Sequence, residues 1–436
     1  MQRRHLKIIC LTIFIYFCIF SHAKARILTL SEAVKLALKN YPALKSLQYK
    51  LISLSYKKKA IKTKRWIKID FEAQAQRYSE PITLYPISQP GKFPPFTQDL
   101  YSWNLIFSFP VYQGGSLSEK VKLSNLESLL TKTELFKTKE DLVATVKTLY
   151  FQIIYLESTK AKEITLLKEL KKERDLAFLR YKAGKAPYLD LLHFDTLLKE
   201  EEALVNKVSY QLELSKKLLA IIIGLNSLDF KVKGSLKTNL NTNFKNNNLF
   251  LLKRPDVKLA FLRIKKSETE IKLAKSAFLP RLYIFGSYGQ RFDSGFHDQK
   301  EMWSFGIGLK FNIFSSGERI YTLLQKKEEL LSAKSYLNAV MLKAKQSVMS
   351  AITEIKTAMS NIKLYESEIR FAKEAYLKEV LKYNKGVGSV MDVTDSHQRW
   401  LKAELALLKA EFELKKALIN YQLQTAQILN TQGLKP

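Results

Sequence analysis

Two stretches of this chain contain neither proline nor glycine, Ser116 to Tyr181 and Glu318 to Asn384, and each is about 66 residues long. Read as helix at 1.5 Å per residue, each is roughly 100 Å long, against a usual helix of about 11–12 residues. Apolar residues recur at spacings of three and four, as at Leu142, Val146, Leu149, Ile153 and Leu156, with Lys and Glu between them. That pattern makes a coiled-coil-like helix with one packed seam and wet outer faces. Gly184 and Gly386 follow the two runs and can take the left-handed conformation that closes a helix. Pro187 suits the first turn of a returning helix, and Ser389 can cap one that begins at Val390. With 15 Gly and 11 Pro in 436 residues, the chain has too few turn formers for a β-sandwich and too few for a disordered linker protein.

The long runs belong to an internal repeat. Tyr181 and Tyr383, Asp190 and Asp392, and Phe109 and Phe311 are all separated by 202 residues, whereas Pro42 and Pro255 are separated by 213. The first copy is therefore longer by 11 residues, and the proline-rich stretch Pro81 to Phe96 reads as an inserted long loop. Each copy reads as helix, two strands, very long helix, turn, long helix. The expected organisation is a signal segment at 1–25, a first repeat at 26–228, a linker at 229–248, a second repeat at 249–430 and a tail at 431–436. The long helices are expected at about 116–181, 187–222, 317–384 and 390–428.

Strands are expected at about 66–78, 101–112, 280–291 and 302–314. In the first, Ile67, Ile69, Phe71, Ala73 and Ala75 alternate with Lys68, Asp70, Glu72, Gln74 and Gln76. In the last, Trp303, Phe305, Ile307 and Leu309 alternate with Ser304, Gly306, Gly308 and Lys310. Period two with one apolar face is a half-buried strand. A soluble sheet over a core fits this pattern, but three features favour a lipid-facing barrel. The strands are about 11 residues long, enough to cross a bilayer at a tilt. Their opposite face is polar or glycine. Trp66, Tyr78, Tyr101, Trp103 and Trp303 stand near strand ends, where membrane-interface aromatics lie. Four strands cannot close a barrel, and lipid forbids open edges, so the barrel must be shared between chains.

The net charge of +31 first suggests nucleic acid, an anionic membrane or an acidic cargo. The N-terminus argues otherwise. Arg3, Arg4 and Lys7 precede a nearly unbroken apolar stretch from Ile8 to Phe20, and small residues at Ala23 and Ala25 offer cleavage sites. This is the pattern of a secretory signal peptide, the alternative being an N-terminal anchor. Export removes nucleic acid as a partner. Both cysteines, Cys10 and Cys18, lie in that segment, so the mature chain has no disulfide and no thiolate chemistry. His193, His297 and His397 are scattered and form no metal motif. A phosphate loop, HExxH and a nucleophile elbow are all missing. No enzyme, cofactor or metal is expected. A structural coiled-coil envelope protein without transport activity is the alternative to a membrane duct.

Thr29-Leu30-Ser31-Glu32-Ala33 with Asn40-Tyr41-Pro42 resembles the start of a mature TolC-like outer-membrane efflux protein. Arg254-Pro255-Asp256-Val257 and Ala277-Phe278-Leu279-Pro280, followed by a strand pair, are similar to that family's second repeat. Tyr383-Asn384-x-Gly386, then Asp392-Val393-x-Asp395, resembles its helical tip. The resemblance implies a mainly α fold with transmembrane β: long coiled α-barrel helices, plus four β-strands per protomer contributing to a shared 12-stranded barrel in a homotrimer. It implies an exit duct for efflux or type I secretion, set in outer-membrane lipid with its helices in the periplasm. A periplasmic adaptor (a membrane fusion protein) and an inner-membrane transporter would dock on it. By motif position Tyr383 falls on the family's gate tyrosine and Asp190 on its partner. Asp392 and Asp395 would add six carboxylates at the narrow end of a trimer. Gly184, Leu189, Gly386, Gly388 and Val390 fall on adaptor-docking tips. Gly388 stands where the family's best-known members carry a gate arginine, so a looser gate, or Lys385 standing in, is expected.

Overall fold

The computed structural model describes residues 26–226, 228–238, 249–295, 299–385 and 387–429. The signal segment, the second half of the linker, His297, Gly386 and the tail lie outside the described residues. The chain is mainly α, and its elements divide into two units. The first holds residues up to Lys45, Phe136–Pro255 and Met341 onward, and the second holds Ser46–Leu135 and Asp256–Val340.

The second unit carries a four-stranded antiparallel sheet in the order β2-β3-β5-β6. Its strands are β2 (Lys68–Thr83), β3 (Phe96–Gln113), β5 (Arg281–Phe292) and β6 (Gln299–Lys310). The register places Ala73 beside Trp103 and Leu105 beside Tyr288, and Tyr288 in turn beside Trp303. The alternating apolar residues of all four strands therefore share one face. That face is bare in the single chain: Phe71, Phe305, Ile307 and Leu309 are each 66–69% exposed and Trp303 is 78% exposed. The opposite face carries Asp70, Glu72, Gln74, Asn104, Ser287 and Ser304, with Ser287 and Ser304 hydroxyls 2.8 Å apart.

The stretch expected as an inserted loop is partly strand. Past a register irregularity between Arg77 and Ile82, Ile82 pairs with Thr97 and Thr83 with Phe96. Pro81 sits inside that irregularity, where its missing N–H costs no ladder bond. At the other end β6 stops at Lys310 rather than near 314, while β3 continues to Gln113 around a bulge between Pro110 and Tyr112.

Helices α2 (Pro42–Thr63) and α6 (Pro255–Lys275) lead into the two hairpins, and the two very long helices α3 (Ser116–Lys182) and α7 (Glu318–Asn384) follow them. Both long helices have 67 residues. Lys57 pairs with Glu127 at 2.7 Å between α2 and α3, and the Arg263 guanidinium lies over the Tyr336 ring between α6 and α7.

In the first unit, α3 and α7 pack with the returning helices α4 (Tyr188–Ile223) and α8 (Val390–Gln424). Of the seam read from the sequence, Leu142, Val146, Ile153 and Leu156 are buried. Leu166, Leu170 and Leu197 close the α3–α4 contact, Ile355, Ala358, Leu414 and Ala417 close α7–α8, and Tyr155 stacks on Phe412 at 5.2 Å. The family-like motifs turn out to be joints. Thr29 and Glu32 form a reciprocal capping box at the start of α1 (Leu30–Asn40). Asn40 donates to the Ile223 carbonyl at 2.7 Å, closing the end of α4. Arg254 is buried and donates to the Gln424 carbonyl at 3.0 Å and to its side-chain oxygen at 2.6 Å.

A two-stranded parallel ladder, β1 (Arg26–Leu28) with β4 (Phe230–Val232), is locked by Tyr150 of α3. The fully buried Tyr150 hydroxyl lies 2.8 Å from the Leu28 and Lys233 carbonyl oxygens and accepts the Lys233 N–H at 3.1 Å. Tyr150→Phe leaves those backbone groups short of a partner. It is expected to cost about 1–3 kcal/mol, read as a lowered midpoint in thermal unfolding followed by circular dichroism.

Candidate functional site: the helical tips and an acid–histidine cluster

The long helices turn back at two tips. At the first, Gly184 has φ +67°, its N–H donates to Tyr181 O at 3.0 Å, and Lys185 N–H donates to Arg180 O at 2.8 Å. This paired closure is the Schellman motif, and only glycine takes its left-handed position at no steric cost. Pro187 stands one residue before α4, as its N-cap, rather than inside its first turn. At the second tip Val387 N–H donates to Lys382 O at 3.1 Å, and Ser389 caps α8 by accepting the Met391 N–H at 3.1 Å.

Gly388 has a packing role. A Cβ there would lie 2.8 Å from Tyr383 N and 3.0 Å from Lys382 Cβ, so the turn folds back against the last turn of α7 with no room for a side chain.

The structure places Asp190 and Asp392 in the first turns of α4 and α8, where the helix dipole favours carboxylates. Asp392 and Asp395 are both exposed, one turn apart. Tyr383 is half-buried, and its ring lies under the Arg180 guanidinium at 4.2 Å. Arg180 therefore joins the end of α3 to the end of α7. The sequence reading passed over it, although Arg180-Tyr181 occupies the repeat position of Lys382-Tyr383. Tyr181 instead packs on Tyr188 across its own turn, at 5.4 Å. Leu189 and Val387 project from the tips, 72% and 78% exposed. Val390, which opens α8, is half-buried.

In the second unit, Trp103 stands between Phe71 (6.3 Å, stacked) and Tyr288 (6.0 Å, edge-on) on the apolar face. Tyr101 and Trp303 share that face through the register, and Trp66 precedes β2, 71% exposed. Tyr78 is set apart from them. Its hydroxyl donates to Gln76 at 2.7 Å, which puts it with the glutamine row on the polar face.

In the first unit, α3, α7 and α8 meet in a cluster of ionisable and aromatic groups. The buried His397 places Nε2 3.1 Å from the Glu169 carboxylate. Its ring stacks on Tyr376 at 4.7 Å, and Trp400 lies beside both. Lys162 and Glu404 form an ion pair nearby. Burial lowers the proton affinity of His397, against the pull of Glu169. Burial, then the Glu169 charge, pushes the Glu173 carboxyl up to about 7. Between α3 and α4, burial and a hydrogen bond with Glu163 push Glu201 up to about 8, so the Glu201 carboxyl keeps its proton near neutrality. Sequence periodicity counted all these acids as solvated helix faces. Among the described residues, no three His, Cys, Asp or Glu are placed to hold a metal ion, and no helix is long and apolar enough to cross a membrane.

The raised Glu173 carboxyl favours the fold while it is protonated. Its contribution is full below about 4.5 and is lost as pH rises through about 7. Glu173→Gln is therefore expected to raise the unfolding midpoint by a few degrees at pH 8 and to leave it unchanged at pH 4, measured by thermal unfolding across that range.

A family model described as outer membrane efflux protein matches residues 33–225 and 247–426. The solvent efflux pump outer membrane protein SrpC of Pseudomonas putida is 26% identical over 189 residues, and the match spans 38% of this chain and 38% of SrpC. Outer membrane protein TolC of Vibrio cholerae is 21% identical over 339 residues, 73% of this chain and 75% of that protein. Among solved structures, a membrane protein from Pseudomonas aeruginosa superposes with a TM-score of 0.80 at 19% identity, covering 92% of this chain and 91% of that one. The two-copy order of helices and strands, the tips and the joints thus have a common origin: the chain belongs to the outer membrane efflux protein family.

Proposed function

We propose that this chain is the outer-membrane exit duct of a tripartite efflux or type I secretion system. Three copies contribute four strands each to one 12-stranded barrel, and their long helices line a periplasmic tunnel. A periplasmic adaptor meets the tips at Gly184, Leu189, Gly386, Gly388 and Val390, with the exposed Leu189 and Val387 as apolar contacts. An inner-membrane transporter supplies energy and cargo, and the duct conducts passively. The observation that carries this reading is the four-stranded sheet, with a mainly apolar exposed face and, among the described residues, no strand paired to either outer edge. Such a sheet is satisfied only in lipid and only by closing with other strands. The names of the relatives, a solvent efflux pump outer membrane protein and TolC, support the efflux assignment.

At the tips, Tyr383 held by Arg180, with Asp190, forms the resting closure, and Asp392 with Asp395 supplies a carboxylate ring. The closure predicts that Tyr383→Phe combined with Asp190→Ala, or Arg180→Ala alone, raises the resting conductance of the channel in planar bilayers several-fold. An unchanged conductance places the closure elsewhere. Asp392→Asn with Asp395→Asn is expected to weaken block of single-channel current by multivalent cations. Recovery of the chain as a soluble periplasmic monomer, rather than a heat-modifiable trimer from outer membrane, would sink the duct reading.

A further inference from the structure

At the helix-side end of the sheet, the polar face and the end of α2 border an open cavity of about 790 Å³. Among the described residues its lining holds four cationic side chains, Lys64, Lys68, Arg281 and Lys310, and no carboxylate. That imbalance is local. Elsewhere in the same unit cations stand beside acids, as do Lys57 and Glu127, Arg77 and Asp99, Lys122 and Glu119, and Lys326 and Glu329. Within the cavity Lys68 has such a partner, Asp70 at 2.6 Å. Lys64, Arg281 and Lys310 meet no acid among the described residues.

Two of these cations are set together at a cost. The register puts Arg281 directly across from Lys310, and like charges directly opposite one another weaken a ladder. The far end of the same hairpin has a second such pair, Arg291 and Lys300, but there the Lys300 ammonium lies over the Tyr85 ring at 4.4 Å. Arg281 and Lys310 have no comparable relief among the described residues. The strand alternation brings neutral donors to the same place. Gln113 stands across from Arg281, and Ser108 across from Lys68. Tyr283 follows on the same face, and its ring lies across Gly308, where a Cβ would fall 2.7 Å from the hydroxyl. The side chains of Gln113, Ser108 and Tyr283 donate to no protein group among the described residues.

We propose that this cavity binds an organic oxyanion, a carboxylate, sulfonate or phosphate ester, with its charged group between Arg281 and Lys310 and its apolar body against Trp66 and Pro110. A guanidinium offers two parallel N–H groups to such an oxyanion, and Lys310 adds a second charge from the facing strand. An anion seated between them turns their repulsion into attraction, so the ladder bears its cost only while the site is empty. The volume is that of a small-molecule site rather than of an inorganic ion. The cavity lies within one chain, so binding does not depend on the number of copies. One consequence does rest on the proposed duct: where three chains close a barrel, the polar face is its lumen, and anions are then a class of cargo. A lipid headgroup presents the same chemistry.

Calorimetric titration of the full chain in a neutral detergent tests the site. Naphthalenesulfonate is the anion, with naphthalenemethanol and naphthylmethylammonium as its neutral and cationic analogues. The sulfonate is expected to bind once per chain and more weakly as salt is raised, and the two analogues to bind roughly tenfold more weakly or worse. Arg281→Gln with Lys310→Gln should weaken sulfonate binding roughly tenfold or more, and should leave the unfolding midpoint of the empty protein equal or higher, because a like-charge pair has been removed. Arg281→Lys, which keeps the charge and loses the fork, should bind with intermediate affinity. Arg291→Gln with Lys300→Gln, the same charge change at the far end of the hairpin, should leave binding unaltered. Equal binding of the alcohol and the sulfonate, equal loss in the far-end variant, or no sulfonate binding to the parent protein overturns the site. Dihexanoylphosphatidylglycerol, with dihexanoylphosphatidylcholine as its control, separates the two sources of anion. Displacement of the sulfonate by the phosphatidylglycerol alone assigns the site to a lipid headgroup and overturns the cargo assignment; failure to displace it supports a soluble anion. Light scattering of the same sample reads the duct separately. A mass other than three chains refutes the trimer, while sulfonate binding still decides the site.

Discussion

A backbone N–H or C=O in hydrocarbon has no water to turn to, and much of this molecule's organisation follows from that constraint. A sheet that presents Phe71, Trp103, Phe305, Ile307 and Leu309 on one face belongs in an apolar medium. Once there, its outer strands cannot remain unpaired. The alternation also fixes the other face. Opposite the apolar residues the inward face is mostly polar or glycine, with Asp70, Glu72, Gln74, Asn104, Ser287 and Gly306, and Ile106, Tyr283 and Phe285 are its exceptions. Phe107 lies against Gly286 and Tyr283 against Gly308, so large rings occupy the space their glycine partners leave. Small residues here let the rings lie flat along the ladder.

The helices answer a different demand, which is to be very long in water. A single apolar seam buries too little to hold 67-residue helices alone, so polar links run alongside it: Lys216 with Glu157, Arg174 with Asp195 and Asn420 with Glu354. Along the outer faces Lys and Glu pair one turn apart, as at Lys122–Glu119, Lys217–Glu213, Lys382–Glu379 and Lys416–Glu413. Exposed and screened by salt, each such pair adds little to stability. Their role is to keep a helix solvated along its whole length.

Local signals in the sequence reported local structure well. The two runs without proline and glycine are α3 and α7, the alternating stretches are the four strands, and Gly184 and Ser389 close and open helices where their chemistry requires. Contacts between distant elements left little trace. Nothing in the spacing of Tyr150 marks it as the bolt between Leu28 and Lys233. Arg180 and Tyr383 are each unremarkable on their own helices and meaningful only once α3 and α7 lie together. Periodicity assigned Glu163, Glu173 and Glu201 to water, because a helix face says nothing about what packs on it. Three of the joints, Thr29, Asn40 and Arg254, lie within the family-like motifs of the sequence, and their hydrogen bonds show what those motifs hold together.

The offset repeat has a consequence for how such a duct can change. A ring of six identical hairpins made from six short chains would feel every substitution six times. Fusing two copies into one chain halves that multiplicity, and each copy becomes free to diverge while its neighbour keeps the older form. The traces are already present: His193 stands where the other copy has Asp395, Gly286 where the other has Ala73, and eleven extra residues lengthen only the first hairpin. Duplication followed by fusion lets a repetitive wall acquire alternating positions, so charge and width can be tuned at every second hairpin while the other keeps its form.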